Sequence, residues 1–441
     1  MPNTPNLTTS LSDWLNYLGS IHVSAIDMGL ERVLPVAKKL GILDIDTAKK
    51  PYVFTTAGTN GKGSTTKAIA QICQASGYKT ALYQSPHLVS FNERIQINGQ
   101  EADDKTLVHA FNHVNQIRIE YGLSLSFFEI TTLAAFYIFA KSECDVWVLE
   151  IGLGGRLDVV NIIEPDMCVI TNIGIDHTDW LGSDREKIGF EKAGILRMGS
   201  TLIYGESDMP DSIKQIIKDK NVYCLEFDKA FSFKIQNDEF IYTSSALTLT
   251  LAIPHISPLN ASIALSALLQ SPLNISLSHI KQELENTKLA GRFDKRLING
   301  RHWLFDVGHN EHGIQFLMQS FIPYWQAFKN QNPNAKLYTV FSMLADKDID
   351  KVLTMISSFN LPIETWYISK LDNPRAIEVV KLANKLSNHH YPVKSYATID
   401  KAVLSVVTDS KDGDMILCFG SFHTIGESLI ALGQAKDPRN D

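Results

Sequence analysis

The sequence predicts an α/β protein of two domains: a phosphate-loop domain with a parallel sheet and a small β element, followed by a second α/β domain. Three observations predict it. Apolar strand-like runs alternate with helix-like runs along most of the chain, the pattern of a doubly wound parallel sheet. Between residues 52 and 73 a strand, a Gly-rich turn and a helix follow one another without a break. The chain has 441 residues, more than one ordinary core organises, and such a length corresponds to about two or three domains.

Residues 11–43 read as helical, with Trp14, Leu15 and Leu18, then Leu30, Val33, Leu34, Ala37 and Leu40 at helical spacing. Residues 52–54 read as a strand and 68–73 as the helix that follows the Gly-rich turn. A second strand is predicted at 79–85 and a long apolar helix at 128–141. Residues 145–150 and 166–172 read as buried strands, and a helix near 184–197 precedes another strand at 199–204. The text changes character over 222–256, where residues 231–235 and 247–251 alternate as antiparallel strands do. That is the small β element. Helix-like text at 259–270 and 276–287 leads to a boundary near 291–294, giving domains 1–294 and 295–441. The second domain has strands at 303–307, 337–341, 365–368 and 414–419, with helices between them.

Apolar residues make up 44% and charged residues 20%, an ordinary globular composition. A net charge of −7 argues against a nucleic-acid binder, whose footprint is basic. The cysteines Cys73, Cys144, Cys168, Cys224 and Cys418 form no C-x-x-C pair and read as reduced, partly buried thiols. Residues 1–7 lack a basic and then apolar leader pattern, and no run of ~18 apolar residues occurs, so a cytoplasmic protein without a membrane span is expected.

The chemistry concentrates at strand ends, where open α/β sheets bind ligands. The run Thr55-Thr56-Ala57-Gly58-Thr59-Asn60-Gly61-Lys62-Gly63-Ser64-Thr65-Thr66 is a phosphate cradle. Its glycines let backbone N–H groups approach phosphate, the helix N-terminus adds partial positive charge, and Lys62 adds a full one. It departs from the usual nucleotide loop in two places. Thr56 stands at the first glycine position, and Gly63 separates Lys62 from the first hydroxyl. Glu150 ends an apolar strand, where a carboxylate holds Mg²⁺ or simply caps the strand beside a turn. Ser85 reads either as a metal-facing hydroxyl or as a turn hydroxyl before Pro86. His177, between Asp176 and Asp179, reads either as a ligand or as a structural histidine. Lys192 by itself reads as a solvated helix lysine. Arg292 and Asp306 flank the domain boundary, where they either reach nucleotide or serve as an ion pair and a strand-end carboxylate. His309 and Asn310 follow them. The expected active site is a cleft between the two domains.

Taken in order, these motifs resemble the bifunctional dihydrofolate synthase/folylpolyglutamate synthase family of the Mur ligase superfamily. The resemblance runs over nearly the whole chain. It includes Ile26-Asp27-Met28-Gly29-Leu30-Glu31-Arg32-Val33, the Gly58–Thr65 loop in the family's own form, Ser85-Pro86-His87-Leu88, and Glu150-Ile151-Gly152-Leu153-Gly154-Gly155-Arg156-Leu157-Asp158. It continues with Asp176-His177-Thr178-Asp179, Glu191-Lys192-Ala193-Gly194, Asp306-Val307-Gly308-His309-Asn310 and Phe419-Gly420-Ser421-Phe422-His423. The resemblance implies a phosphate-loop ATPase domain and a C-terminal Rossmann-like domain. It implies ATP contacts at Thr59, Asn60, Gly61, Lys62, Asn260, Arg292 and Asp306. Ser85, Glu150 and His177 are implied as Mg²⁺ ligands, and Lys192 as a carbamylated lysine. Ser126, Phe127, Phe128, Glu129, Leu157, Asp158 and Val159 are implied as pterin contacts.

The implied reaction joins L-glutamate to dihydropteroate or tetrahydrofolate through an acyl phosphate, with ATP as co-substrate. Lys62, Lys192 and His309 are its catalytic candidates, and His309 and Ser421 are expected to place glutamate. A monomer is expected. Two departures are visible: Glu311 stands where the family often has Pro, and Val159 where Ala is common. A monofunctional folylpolyglutamate synthase and a nucleotide-binding regulator or plain NTPase are the competing readings. A cell-wall Mur ligase is disfavoured, because the phosphate loop lies within the first 60 residues or so and leaves no room for a nucleotide-sugar domain.

Overall fold

The computed structural model describes residues 4–22, 27–46 and 49–437. Ile26 of the N-terminal motif lies outside them. The chain divides into two compact units, Met1–His87 with Phe91–Thr287, and Leu88–Ser90 with Lys288–Asp441. The division falls just ahead of the boundary read near residues 291–294.

The first unit is built on eight strands: β1 (Tyr52–Ala57), β2 (Thr80–Tyr83), β3 (Ile95–Ile97), β4 (Gln100–Glu101), β5 (Val146–Glu150), β6 (Met167–Ile170), β7 (Thr201–Tyr204) and β8 (Tyr223–Glu226). Their order is β4-β3-β2-β5-β1-β6-β7-β8. Six of them, from β2 to β8 along the sheet, run parallel, while β3 and β4 join antiparallel at one edge. The sheet is therefore mixed rather than wholly parallel. Its central strands are buried almost end to end and mostly apolar because both faces are covered. Along β5, Trp147 and Leu149 enter one core and Val146 and Val148 the other, the two-residue period of a strand. The first core is closed by the helices Leu11–Ser20, Asp104–Glu120 and Phe127–Lys141, the second by Lys62–Ala75 and Pro258–Gln270.

Among the described residues, the stretch read as helical over 11–43 holds the two α-helices Leu11–Ser20 and Val33–Lys39. Gly29, at φ 142°, lies in the link, so Leu30 is not helical. The small β element is a three-stranded antiparallel sheet of β9 (Phe231–Gln236), β10 (Glu239–Ser244) and β11 (Thr248–Ala252), with Phe231, Phe240 and Tyr242 in the second core.

The second unit holds β12 (Asp294–Ile298), β13 (Arg301–Asp306), β14 (Leu337–Phe341), β15 (Ile363–Ser369), β16 (Val393–Tyr396) and β17 (Met415–Phe419), in the order β12-β13-β17-β14-β15-β16. All neighbours are parallel except the β12–β13 pair. Helices cover both faces, which makes this a Rossmann-like α/β layer arrangement. Among the described residues no helix is long and apolar enough to cross a membrane.

Candidate active site

The phosphate loop leaves the C-terminal end of β1 and enters the helix Lys62–Ala75. Its shape is fixed by the neighbouring tip of β6. The Asn60 amide donates to Asn172 Oδ1 at 2.9 Å, and Asn172 Nδ2 and Thr171 Oγ1 donate back to the Asn60 carbonyl at 2.9 and 2.6 Å. Thr59 Oγ1 donates to the Gly174 carbonyl at 3.1 Å and accepts from the Gly174 amide at 2.9 Å. Gly61, which caps the helix, has φ 83° and no room for a side chain, since a Cβ there would run into Asn260 Oδ1. Thus Asn260, distant in sequence, sits against the loop.

Two amines converge on one carbonyl. Lys62 Nζ donates to the Gly58 oxygen at 3.0 Å and Lys192 Nζ donates to the same oxygen at 2.9 Å. The reading of Lys192 as a solvated lysine is overturned: it is 4% exposed at the end of the helix Arg185–Ala193. Burial, followed by the charge of Lys62, pulls its amine down to about 7, against the opposing pull of Asp176 and Asp158. Gly58, Thr59, Lys62, Gly154, His177 and Lys192 share one small pocket.

The segment after β5 is held by Asp158. Its carboxylate accepts the Leu153 and Val160 amides at 2.8 Å each, and burial pushes it up to about 6. Val159 is packed in the first core, while Leu157 is half-buried. Ser126 and Glu129 form a capping box at the head of the helix Phe127–Lys141. The Ser126 amide donates to Glu129 Oε2 at 2.7 Å, and Arg32 pairs with Glu129 Oε1 at 2.7 Å. Both polar side chains are therefore committed to local structure, and the half-buried Phe127 and Phe128 supply the accessible surface of this segment. A side chain at Gly152 would strike the Phe128 ring, so the turn that Asp158 holds lies against the Phe127-Phe128 segment.

Sequence reasoning singled out neither Arg94 nor Arg32 as a site residue, and neither follows a periodicity that would mark it. Arg94 Nε donates to His87 Nδ1 at 2.8 Å, and its guanidinium lies 5.2 Å from the Phe91 ring centre and 5.8 Å from that of Phe127.

Ser85 follows β2 and Glu150 ends the neighbouring β5. Tyr83 of β2 lies beside Leu149 of β5, which brings both residues to the same sheet edge. His177 heads the short helix Thr178–Leu181 in a left-handed conformation and is exposed. Glu150 pairs in register with Thr56, whose hydroxyl, like that of Thr65 at the start of the loop helix, is buried without a hydrogen-bond partner. Among the described residues no group of three or more His, Cys, Asp and Glu is arranged to hold a metal. A site completed by hydroxyl oxygens, phosphate and water is what Mg²⁺ prefers, so the donor set fits that ion.

Within the second unit, Asp306 ends β13. Its carboxylate accepts the Phe293 amide at 2.9 Å and the Gly308 amide at 2.8 Å; burial raises its proton affinity and Arg292 is the main opposing charge. The Arg292 guanidinium lies 5.2 Å from the Phe422 ring centre. His309 Nδ1 is 2.8 Å from the Val307 carbonyl. Asn310 caps the helix Glu311–Gln331, so Glu311 is an anion in the first turn, where the helix dipole favours it. Ser421 follows β17, the neighbour of β13, and caps the helix Phe422–Ala431 by accepting the Thr424 amide at 3.0 Å.

Comparison with known proteins gives the family context. Residues 56–266 match the Mur ligase middle domain, and residues 291–422 match the Mur ligase glutamate ligase domain. The chain is 37% identical over 427 residues to the dihydrofolate synthase/folylpolyglutamate synthase of Escherichia coli (strain K12), covering 97% of this chain and 96% of that protein. Among solved structures it is similar to E. coli FolC in complex with DHPP and ADP, with a TM-score of 0.88, 36% identity, and coverage of 99% of this chain and 100% of that one. It is also similar to a bifunctional folylpolyglutamate synthase/dihydrofolate synthase with Mn, AMPPNP and L-glutamate bound, with a TM-score of 0.87, 36% identity, and 98% and 100% coverage.

Proposed function

Because the chain belongs to the dihydrofolate synthase/folylpolyglutamate synthase family of Mur ligases, we propose that it joins L-glutamate to dihydropteroate, and further glutamate to tetrahydrofolate, at the expense of ATP. The observation that carries this reading is the pairing of Lys62 and Lys192 on the Gly58 carbonyl, inside a phosphate loop buttressed by Asn172 and Asn260. A lysine of the loop and a second amine brought to the same carbonyl by the helix Arg185–Ala193 suit a γ-phosphoryl group in transfer better than a passive nucleotide.

A pterin carboxylate is a poor electrophile, because its leaving group would be oxide. Its oxygen attacks the γ-phosphorus, ADP departs with the bridging oxygen and its electron pair, and an acyl phosphate results. The glutamate amine then attacks the acyl carbon, phosphate leaves, and the amine's proton is released. Lys62 and the loop amides stabilise charge on the transferring group. Mg²⁺, held by Ser85, Glu150 and His177, would neutralise the phosphate oxygens. Phe127 and Phe128, beside the turn clamped by Asp158, form the pterin wall. Arg292 and Asp306 contact nucleotide, and His309 positions glutamate. Lys192 has an amine titrating near neutrality, so a neutral fraction is available to add CO₂ and form a carbamate with loss of a proton. A ¹³C-bicarbonate NMR signal that disappears in Lys192→Met tests that modification. The protein acts as a monomer in the cytoplasm.

The test of the activity is ADP release with dihydropteroate or tetrahydrofolate, with and without glutamate. Release that requires both pterin and glutamate supports the ligase. Stimulation by tetrahydrofolate alone indicates a monofunctional enzyme, and release indifferent to both pterins leaves only an NTPase.

A further inference from the structure

We propose that Arg94 binds the carboxylate of the pterin substrate, the group on which the amide is built; this rests on the ligase reading above. Arg94 closes the short turn Phe91–Arg94 ahead of β3, and its backbone is tied to β2's exit by the Gln84 amide, which donates to the Arg94 carbonyl at 3.0 Å. Its side chain is equally constrained. Nε is occupied by His87, and the rings of Phe91 and Phe127 flank the guanidinium.

What this guanidinium lacks is an anion. Among the described residues no carboxylate lies within ion-pair distance of it, and Glu93 and Glu150 attract it only from farther away. Arg32, Arg156, Arg185, Arg197, Arg296, Arg301 and Arg375 have carboxylate partners, and Arg118, which has none, donates instead to Asn115 Oδ1 and the Leu123 carbonyl. A half-buried cation held between rings without a counter-charge is held at a cost unless a ligand supplies one. The fork of a guanidinium matches a carboxylate with two parallel hydrogen bonds.

The surroundings choose among anions. Phosphate has its own cation in Lys62, in a pocket that Arg94 does not line. Arg94 instead lies over Phe127, in the segment implied to contact pterin, and an aryl carboxylate offers a ring for the phenyl groups and an anion for the arginine. Held this way, the carboxylate keeps an oxygen lone pair available for phosphorus.

The experiment compares binding of dihydropteroate with binding of its uncharged carboxamide, by fluorescence titration, in wild type, Arg94→Gln and Arg94→Lys. AMPPNP binding is measured alongside. Arg94→Gln is expected to weaken dihydropteroate roughly tenfold or more while leaving the carboxamide nearly unchanged, so that the preference for the charged ligand collapses. Arg94→Lys, which keeps charge and stem, is expected to lose part of that preference and gives the same reading should the Gln variant not fold. An unchanged preference in either folded variant would overturn the proposal, as would a loss of AMPPNP affinity in place of dihydropteroate affinity. Wild type that binds neither pterin would sink the ligase reading itself, an outcome distinct from the two before it.

Discussion

Lys192 carries its amine into a pocket where burial outweighs its two acidic neighbours, and its proton affinity falls to about 7. In the unfolded chain the same amine titrates near about 10.4. Below the folded value both states hold the proton, so the full cost of burying the charge is present. Between the two values the folded protein has shed the proton and the unfolded chain has not, so stability rises with pH across that window. Lys192→Met removes the group and the penalty together. Its urea midpoint should exceed that of wild type at pH 6 by a margin on the order of a few kcal/mol, and the margin should shrink by pH 9.5. A margin that stays constant with pH would show that no buried charge is involved. Ligase turnover should be lost at every pH.

At the scale of elements, the phosphate loop depends on a backbone conformation that only glycine reaches cheaply. Gly61→Ala meets both the strain of φ 83° and the side chain of Asn260. AMPPNP affinity should fall by roughly tenfold or more, with the helical circular dichroism unchanged, since even about 1.4 kcal/mol of misfit gives that factor. The capping box makes a different prediction. Ser126→Ala should cost about 1 kcal/mol in denaturant unfolding. Near-wild-type ATP affinity in that variant would separate the box's structural task from nucleotide binding.

These elements differ in how clearly they are written in the chain. The strand Val146–Glu150 is buried along its length and announces itself as an apolar run that ends in a carboxylate. The edge strands Asp294–Ile298 and Val393–Tyr396 are mostly exposed or half-buried, so charged and polar residues fill them and no apolar run marks them. The site divides in the same way. The loop around Lys62 is contiguous and legible. Lys192 and Arg94 take their character from partners 134 and 7 positions away, Gly58 and His87, which no local pattern reports.

The whole molecule has two units, each with its own pair of buried apolar clusters on either side of a sheet. Units with separate cores give separate unfolding transitions unless something couples them. A ligand held by the first unit alone raises only that unit's transition, by roughly 2.7 kcal/mol at a hundredfold excess over its Kd. The reading that gives Arg292 and Asp306 a place at the nucleotide demands more. In calorimetry with Mg²⁺ and AMPPNP, both transitions should move upward in wild type, because the same ligand is lost when either unit unfolds. Arg292→Ala, which removes a contact without touching the phosphate loop, should return the second transition to its ligand-free temperature and leave the first raised. A second transition that ignores the nucleotide in wild type would remove Arg292 and Asp306 from the ATP site while leaving Lys62 and its loop in it.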